Sequence, residues 1–334
     1  MSIIFTRSPL RISLGGGGTD LPSYSDRHEG FLIAGAIDKY VYLLTHTAFQ
    51  RNYRMKYSEL EVVDRPQDIK HPILRETICR HWDGEPLEIA SVADVPAGTG
   101  LGSSGAYTVA VLKSLALGRR RATTPASLAD DAAHIEIDVL GEPVGKQDPY
   151  VAAHGGLCAY TFRRDGTVDV EPLQLSRDTL DKLRRNLLLF FTGATRSAAQ
   201  LLADQVKRTE ADDEAMLQNL HRTKEIGLRS RDLLERGDVG GFAELMDAHW
   251  HTKRERSPGM ETERVDELYR LARMSGCIGA KLVGAGGGGF LLVYASNPAD
   301  TRLAMTRAGA PELEFDFEFG GCSGTEYQRV APGV

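Results

Sequence analysis

The sequence predicts an α+β fold in two domains, and three observations carry that expectation. The chain has 334 residues, more than one hydrophobic core usually spans. Strand-like alternation dominates its first half, whereas residues 196–275 read as helix almost throughout. Three glycine clusters each follow a strand-like run, so the turns at these strand ends are specialised.

Taken in order, residues 2–14 alternate apolar and polar positions and read as a strand entering a glycine turn. Residues 31–47, with Ile33, Ile37, Val41 and Leu43, form a long β-rich stretch, and 87–93 another strand. Val109, Leu112 and Leu115 recur at helical spacing within 105–117. A second helix spans 125–140, with Pro125 in its first turn. Residues 157–162, 168–173 and 186–192 read as strands. After the helical region, strands at 278–283 and 290–294 flank the last glycine cluster. A helix at 298–309 and a final strand at 313–317 follow. The change of texture near residue 185 sets the expected boundary, giving domains 1–185 and 186–334. There is no repeat of solenoid period and no low-complexity tract.

Composition narrows the function. With 42% hydrophobic and 26% charged residues the chain is an ordinary globular protein, which excludes disorder and fibrous repeats. A net charge of −6 lacks the basic footprint of a nucleic-acid binder, and Arg119–Arg121 reads as a solvated helix end. Cys79, Cys158, Cys277 and Cys322 form no CxxC pair, so no zinc or redox signature is present, and a reducing cytoplasm is expected. No signal-peptide pattern and no run of about 18 apolar residues appears, so a cytoplasmic protein without membrane or nucleic-acid partners is expected.

Glycine is the departure: 35 residues, above the usual ~7%. Thirteen of them lie in Gly15–Gly18, in Gly98, Gly100, Gly102 and Gly105, and in Gly284 with Gly286–Gly289. Bare backbone of this kind makes anion-binding nests. The middle cluster, Pro96-Ala97-Gly98-Thr99-Gly100-Leu101-Gly102-Ser103-Ser104-Gly105, runs straight into a helix, which adds a helix N-terminus to the loop amides. Ser103 and Ser104 read either as N-caps or as ligands of a phosphate or Mg2+. GxxxxGK[ST] is absent, and no second strand ending in an acid follows GxGxxG, so neither a P-loop nor a dinucleotide fold fits. The HRD and DFG motifs of protein kinases are absent as well.

Three segments together resemble the GHMP small-molecule kinases. They are Arg7-Ser-Pro-Leu-Arg-Ile-Ser-Leu-Gly-Gly-Gly-Gly-Thr-Asp20, Pro96–Gly105, and Lys281-Leu-Val-Gly-Ala-Gly-Gly-Gly-Gly-Phe290, in the family's order and spacing. The stretches GGGGTDLPSY, AIDKYVY, HIEIDVLGEPVGKQD and TGATRSA are most similar to the branch of D-glycero-D-manno-heptose 7-phosphate 1-kinases. Galactokinases carry Glu-His where this chain has Gly17-Gly18, which argues against galactose. Pro149 replaces the branch's usual residue after Asp148.

The resemblance implies a GHMP fold: an N-terminal domain like ribosomal protein S5 domain 2 and a C-terminal ferredoxin-like α/β sandwich. It implies an ATP- and Mg2+-dependent kinase of a sugar phosphate, acting at the anomeric C1 hydroxyl. The nucleotide phosphates fall to Pro96, Gly98, Thr99, Gly100, Leu101, Gly102, Ser103, Ser104 and Gly105. Mg2+ falls to Ser104, with Ser103 beside it, and to Glu136, with Asp138 as the alternative. Asp148 matches the general base and Arg11 the cation that pairs with it, with Lys146 a second cation. Gly17, Gly18, Thr19, Asp20, Gly286 and Gly287 are expected around the sugar, and Arg196 at its phosphate. Lys39 and Lys253 are weaker candidates for that phosphate and read first as solvated lysines, and His249 and His251 read as surface or packing residues. A kinase of another sugar or polyol, and a non-catalytic sugar- or nucleotide-binding regulator of the same fold, are the alternatives. A homodimer stays open.

Overall fold

The computed structural model describes residues 2–193 and 199–328. Strand β1 (Ser2–Gly15), helix α1 (Pro22–His28) and strand β2 (Gly30–Thr47) come first. The two strands pair antiparallel from Ile4 opposite Thr45 to Gly15 opposite Ile33. In β1 the alternation of buried and exposed residues gives way to unbroken burial from Ser8 to Gly15. A strand covered on both faces reads this way, and helices from both halves of the chain pack against it.

Next come β3 (Tyr53–Lys56), β4 (Leu60–Val63), α2 (Pro72–His81), β5 (Leu87–Ala93), α3 (Ser103–Gly118) and α4 (Pro125–Ala133). A π-helical turn at His134–Val139 leads to α5 (Gln147–His154), β6 (Leu157–Phe162), β7 (Val168–Pro172) and α6 (Arg177–Asn186). The remainder is β8 (Leu187–Phe191), α7 (Ala199–Glu210), α8 (Glu214–Glu235), α9 (Val239–Arg254), α10 (Glu263–Met274), β9 (Cys277–Leu282), β10 (Phe290–Ala295), α11 (Pro298–Arg307) and β11 (Ser323–Gln328).

An eight-stranded sheet runs β11-β1-β2-β5-β3-β4, with β6 on the first part of β2 and β7 beyond it. A three-stranded antiparallel sheet, β8-β10-β9, forms the second layer. One core joins the two, holding Leu10, Leu32 and Val109 together with Leu189, Phe242 and Leu292. Among the described residues no helix is long and apolar enough to cross a membrane.

Three local readings are corrected by the structure. Residues 313–317 are not a strand; isolated bridges join Glu312 to Phe190 and Phe317 to Ile37. Their alternation reflects a segment laid between the two sheets, with Leu313, Phe315 and Phe317 against the core. The last strand is β11, which returns to the edge of the first sheet beside β1. The helix expected over 125–140 changes to π-winding at His134, a turn often found at functional sites. Glu136 is thereby buried, while His134 and Asp138 stay exposed and pair with each other at 2.8 Å.

Helices α3 and α5 meet at their N-termini. Pro149 sits in the first turn of α5, where its missing N–H leaves no helical bond unmade. At Gly105, in the first turn of α3, a Cβ would stand 2.7 Å from the Pro149 nitrogen and 2.8 Å from the Asp148 Cβ. That contact is backbone on backbone, so Gly105→Ala is expected to destabilise the protein by about 1–3 kcal/mol in urea unfolding. An unchanged midpoint would show that the two helix ends separate freely.

Candidate active site

The loop before α3 is built from left-handed glycines: Gly98, Gly100 and Gly102 have φ of 77°, 81° and 76°. Gly102 is the N-cap of α3 and supplies no side-chain acceptor, so Ser103 and Ser104 are not caps. The first amides of α3 are left for an outside anion. The loop is anchored by the Arg11 amide donating to the Leu101 carbonyl at 3.0 Å, and by Thr99 Oγ1 donating to the Pro96 carbonyl at 3.0 Å. The third glycine cluster touches it: a Cβ on Gly284 would lie 2.6 Å from Gly100 Cα, and one on Gly289 2.2 Å from the Thr99 carbonyl oxygen.

Arg11, from β1, forks across the cleft. Its Nε and Nη2 donate to Asp148 Oδ1 at 2.8 and 2.7 Å, and its Nη1 donates to the Gly100 carbonyl at 2.6 Å. Asp148 remains about one-third exposed while Arg11 is buried. The carboxylate therefore faces the cleft with its cation behind it.

Asp20 accepts from the amides of Gly18 (3.2 Å) and Gln147 (3.0 Å). Burial pushes its carboxyl above the usual range, against the pull of those amides. A Cβ on Gly145 would stand 1.9 Å from Asp20 Oδ2, so only glycine fits there. Thr19 does not reach the cleft: its hydroxyl bonds the carbonyls of Gly16 and Phe31, both at 2.9 Å, and closes the turn.

Glu136 bonds Ser104 Oγ and is buried, and that burial pushes its carboxyl up to about 7. Among the described residues no group of three or more His, Cys, Asp or Glu side chains makes a ready-built metal cage. A hydroxyl and a buried carboxylate beside a phosphate loop suit a hard divalent ion that takes its other oxygens from phosphates and water.

The cleft gathers most of the residues expected from sequence: Arg11, Gly17, Gly18, Asp20, Gly98, Gly100, Gly102–Gly105, Glu136 and Asp148. Others lie elsewhere. Lys146 donates to the Gly166 carbonyl at 2.6 Å and takes no part in the cleft wall. Gly286 and Gly287 pack against Met260, and their neighbours Gly284 and Ala285 line the cleft instead. Lys39 pairs with Asp38 at 2.9 Å. Arg196 lies outside the described residues.

The cleft wall also holds His249, Arg256 and Lys281, which were not among the expected site residues, and Lys253, which was only a weaker candidate for the sugar phosphate. Lys253 and His249, read from sequence as solvated or surface residues, are buried. A second cavity of about 530 Å³ shares Gly98, Ser103 and Ser104 with the cleft. It continues past Tyr57, His71, Val95 and Tyr107. A flat, mostly apolar space at the end of a phosphate loop is where a nucleotide base would stack.

A phosphate loop without a lysine, answered across the cleft by a carboxylate on an arginine fork, defines a small-molecule phosphotransferase. Residues 70–156 match the model of the GHMP kinases N terminal domain, and residues 230–310 that of the GHMP kinases C terminal domain. The chain belongs to the GHMP kinase family, whose members use ATP as phosphate donor. It is 29% identical over 307 residues to a D-glycero-alpha-D-manno-heptose 7-phosphate kinase of Campylobacter jejuni, covering 88% of this chain and 90% of that one. Among solved structures it superposes on a D-glycero-D-manno-heptose 1-phosphate kinase from Bacteriodes thetaiotaomicron with a TM-score of 0.79 at 24% identity, covering 98% of this chain and 100% of that chain. A putative sugar kinase from Campylobacter jejuni gives a TM-score of 0.78 at 26% identity, covering 97% and 98%. The two-domain GHMP kinase fold expected from the motifs is the fold observed.

Lys281 gives a stability signature. Burial lowers its ammonium from 10.5 to about 7, with Arg11 and Arg256 adding repulsion. A depressed amine destabilises the folded state most where both states are charged, below pH 7. The effect fades as pH rises from about 7 toward 10.5. Lys281→Met is therefore expected to be more stable than wild type in urea at pH 6, with the difference narrowing by pH 9. A difference that widens with pH would contradict the burial of a strained cation.

Proposed function

We propose that the protein transfers the γ-phosphoryl group of ATP to the anomeric C1 hydroxyl of D-glycero-D-manno-heptose 7-phosphate, giving the 1,7-bisphosphate. The observation that carries this reading is the Arg11–Asp148 pair beside a lysine-free phosphate loop. The heptose 7-phosphate kinase similar over nine-tenths of its own length supports the choice of acceptor.

In this reading the amides of Gly98–Gly105 and the N-terminus of α3 take the nucleotide phosphates, with the base in the cavity beside Tyr57 and Tyr107. Ser104 and Glu136 hold Mg2+, which supplies charge neutralisation on the transferring phosphates. Asp148 takes the proton from the sugar hydroxyl, and Arg11 keeps that carboxylate aimed and tied to the loop. The amides of Gly17 and Gly18 and the Asp20 carboxyl bind sugar hydroxyls. Residues 1–185 carry the nucleotide side, and residues 186–334 close the far wall.

Purified protein with MgATP and a panel of sugars, sugar phosphates and alcohols is expected to release ADP fastest with heptose 7-phosphate, with a new anomeric phosphate visible by 31P NMR. Turnover only on an alcohol that is not a sugar would overturn the acceptor. Asp148→Asn is expected to lower kcat by about 10²–10⁴ while MgADP binding is kept; near-normal kcat removes Asp148 from the base role. Glu136→Gln is expected to raise the Mg2+ concentration needed for half-maximal rate, and an unchanged requirement would put the ion elsewhere.

A further inference from the structure

Three cations stand buried in the cleft wall without an acid. Lys253, Arg256 and Lys281 are 6%, 3% and 2% exposed. Among the described residues no carboxylate oxygen comes within the 4.0 Å of an ion pair with any of them. Buried charges are normally paired, because desolvation is costly and only an opposite charge offsets it. Arg11, the fourth cation of the cleft, has Asp148; these three have only neutral partners.

Lys253 Nζ donates to the carbonyls of Leu282 (3.1 Å) and Gly284. Lys281 Nζ donates to the Leu14 carbonyl at 3.3 Å and to His249 Nδ1 at 3.2 Å. An ammonium has three N–H groups, so each lysine keeps one in reserve. His249 Nε2, buried in the same wall, has no partner, and where Nδ1 accepts from the Lys281 ammonium the imidazole proton falls on Nε2. Ser13 Oγ, also in the cleft wall, has none either. Arg256 bonds Asn219 Oδ1 (3.1 Å), Thr223 Oγ1 (2.9 Å) and Gln205 Oε1 (3.3 Å), and reaches the Gly17 carbonyl at 3.4 Å. The cluster is an array of donors and positive charge that lacks its acceptor.

We propose that Lys253, Lys281 and Arg256, with His249 Nε2 and Ser13, form the site for the phosphate dianion carried by the acceptor itself. This rests on the sugar-phosphate reading above and adds the residues that would make the acceptor's phosphate compulsory. Two of the three cations are tied to the first glycine turn, through Leu14 and Gly17, and not to the nucleotide loop. The nucleotide phosphates already have loop amides and the start of α3. A site built of buried donors discriminates steeply against an analogue that lacks the group they bind.

The site carries its own proton signature. Burial, with Arg11 and Arg256 as neighbours, holds Lys281 near 7, and burial with Lys281, Arg256 and Arg11 beside it holds Lys253 well below its ordinary value; Asp20 faces Arg256, and Asp148 is taken up by Arg11. His249 is neutral for the same reasons. A dianion arriving among them restores the charged lysines, so binding takes up protons from solution.

Calorimetry on the full chain tests this, with heptose 7-phosphate, unphosphorylated heptose and MgADP as probes, in two pH 8 buffers of different ionisation enthalpy. Wild type is expected to bind the phosphorylated sugar at least about tenfold more tightly than the free sugar, with net proton uptake. In Lys281→Met both the preference and the uptake are expected to disappear, while the Kd for MgADP stays within about twofold. A cooperative urea-unfolding transition shows that the variant has folded, and Lys253→Met is the second variant if it has not. Unchanged preference in both variants overturns the inference, as does loss of MgADP affinity in step with the sugar phosphate in a folded variant, which would give the cations to the nucleotide. If heptose 7-phosphate is turned over but its KM is unmoved by these variants, this inference alone fails. If wild type neither binds nor phosphorylates any sugar phosphate, the acceptor reading fails and the inference falls with it.

Discussion

The cleft depends on one guanidinium. Arg11 leaves the unbroken buried stretch of β1 and reaches two partners that, among the described residues, no other side chain joins: the Asp148 carboxylate and the Gly100 carbonyl. One partner belongs to the turn that begins α5 and the other to the loop that begins α3. A planar fork with fixed donor directions can hold both at once, which an ammonium on a flexible stem does less well. Because β1 pairs with β2 from Ile4 to Gly15 and is flanked by β11 over its first residues, the fork has a rigid base. The distance between the phosphate loop and the carboxylate is thereby fixed by a sheet, not by the loops.

Glycine completes the arrangement by letting backbones meet. Gly100 touches Gly284, Gly105 touches Pro149, and Gly145 lies against Asp20, each closer than any side chain allows. These contacts bring pieces of sequence far apart in the chain to one point. The three glycine clusters serve one purpose with different chemistry. The middle one exposes amides, the last one packs behind it, and the first one makes the turn that presents Gly18 and Asp20.

This explains what the sequence made legible. Strand-loop-helix punctuation around Gly98–Gly105 is local, so the loop and α3 can be read from spacing alone. Asp148, Arg11 and Glu136 are distant from the loop in sequence, and only the resemblance to a family joins them to it. The buried cations were hidden for a physical reason. Lys253 and Arg256 lie in His-Thr-Lys-Arg-Glu-Arg, a polar stretch that by composition belongs on a solvated helix end. Lys253 is buried under β9 and the last glycine cluster, and Arg256 among α7, α8 and the first glycine turn, tertiary facts with no local pattern. The same holds for residues 313–317, whose alternation is real but is satisfied by two sheets at once and not by a ladder. Thr19 was misleading in the opposite sense, because a hydroxyl beside a functional aspartate is here used up in closing the turn.

The charges of the cleft bear on what it is shaped to receive. On one side burial raises the Glu136 carboxyl toward neutrality; on the other it lowers Lys281 and Lys253. Both shifts have the same origin, desolvation, and each is reversed by a ligand of opposite sign. A divalent cation beside Glu136 and an anion beside the lysines would restore ordinary charge at the two ends. Arg11 and Asp148 lie between them as an already neutral pair. In the proposed reaction two like-charged phosphates would repel across a poorly solvated gap, and the neutral pair with flanking cations would weaken that repulsion. Under the proposed reaction the charges of the cleft would match both substrates, and stability surrendered at the site would be recovered on binding.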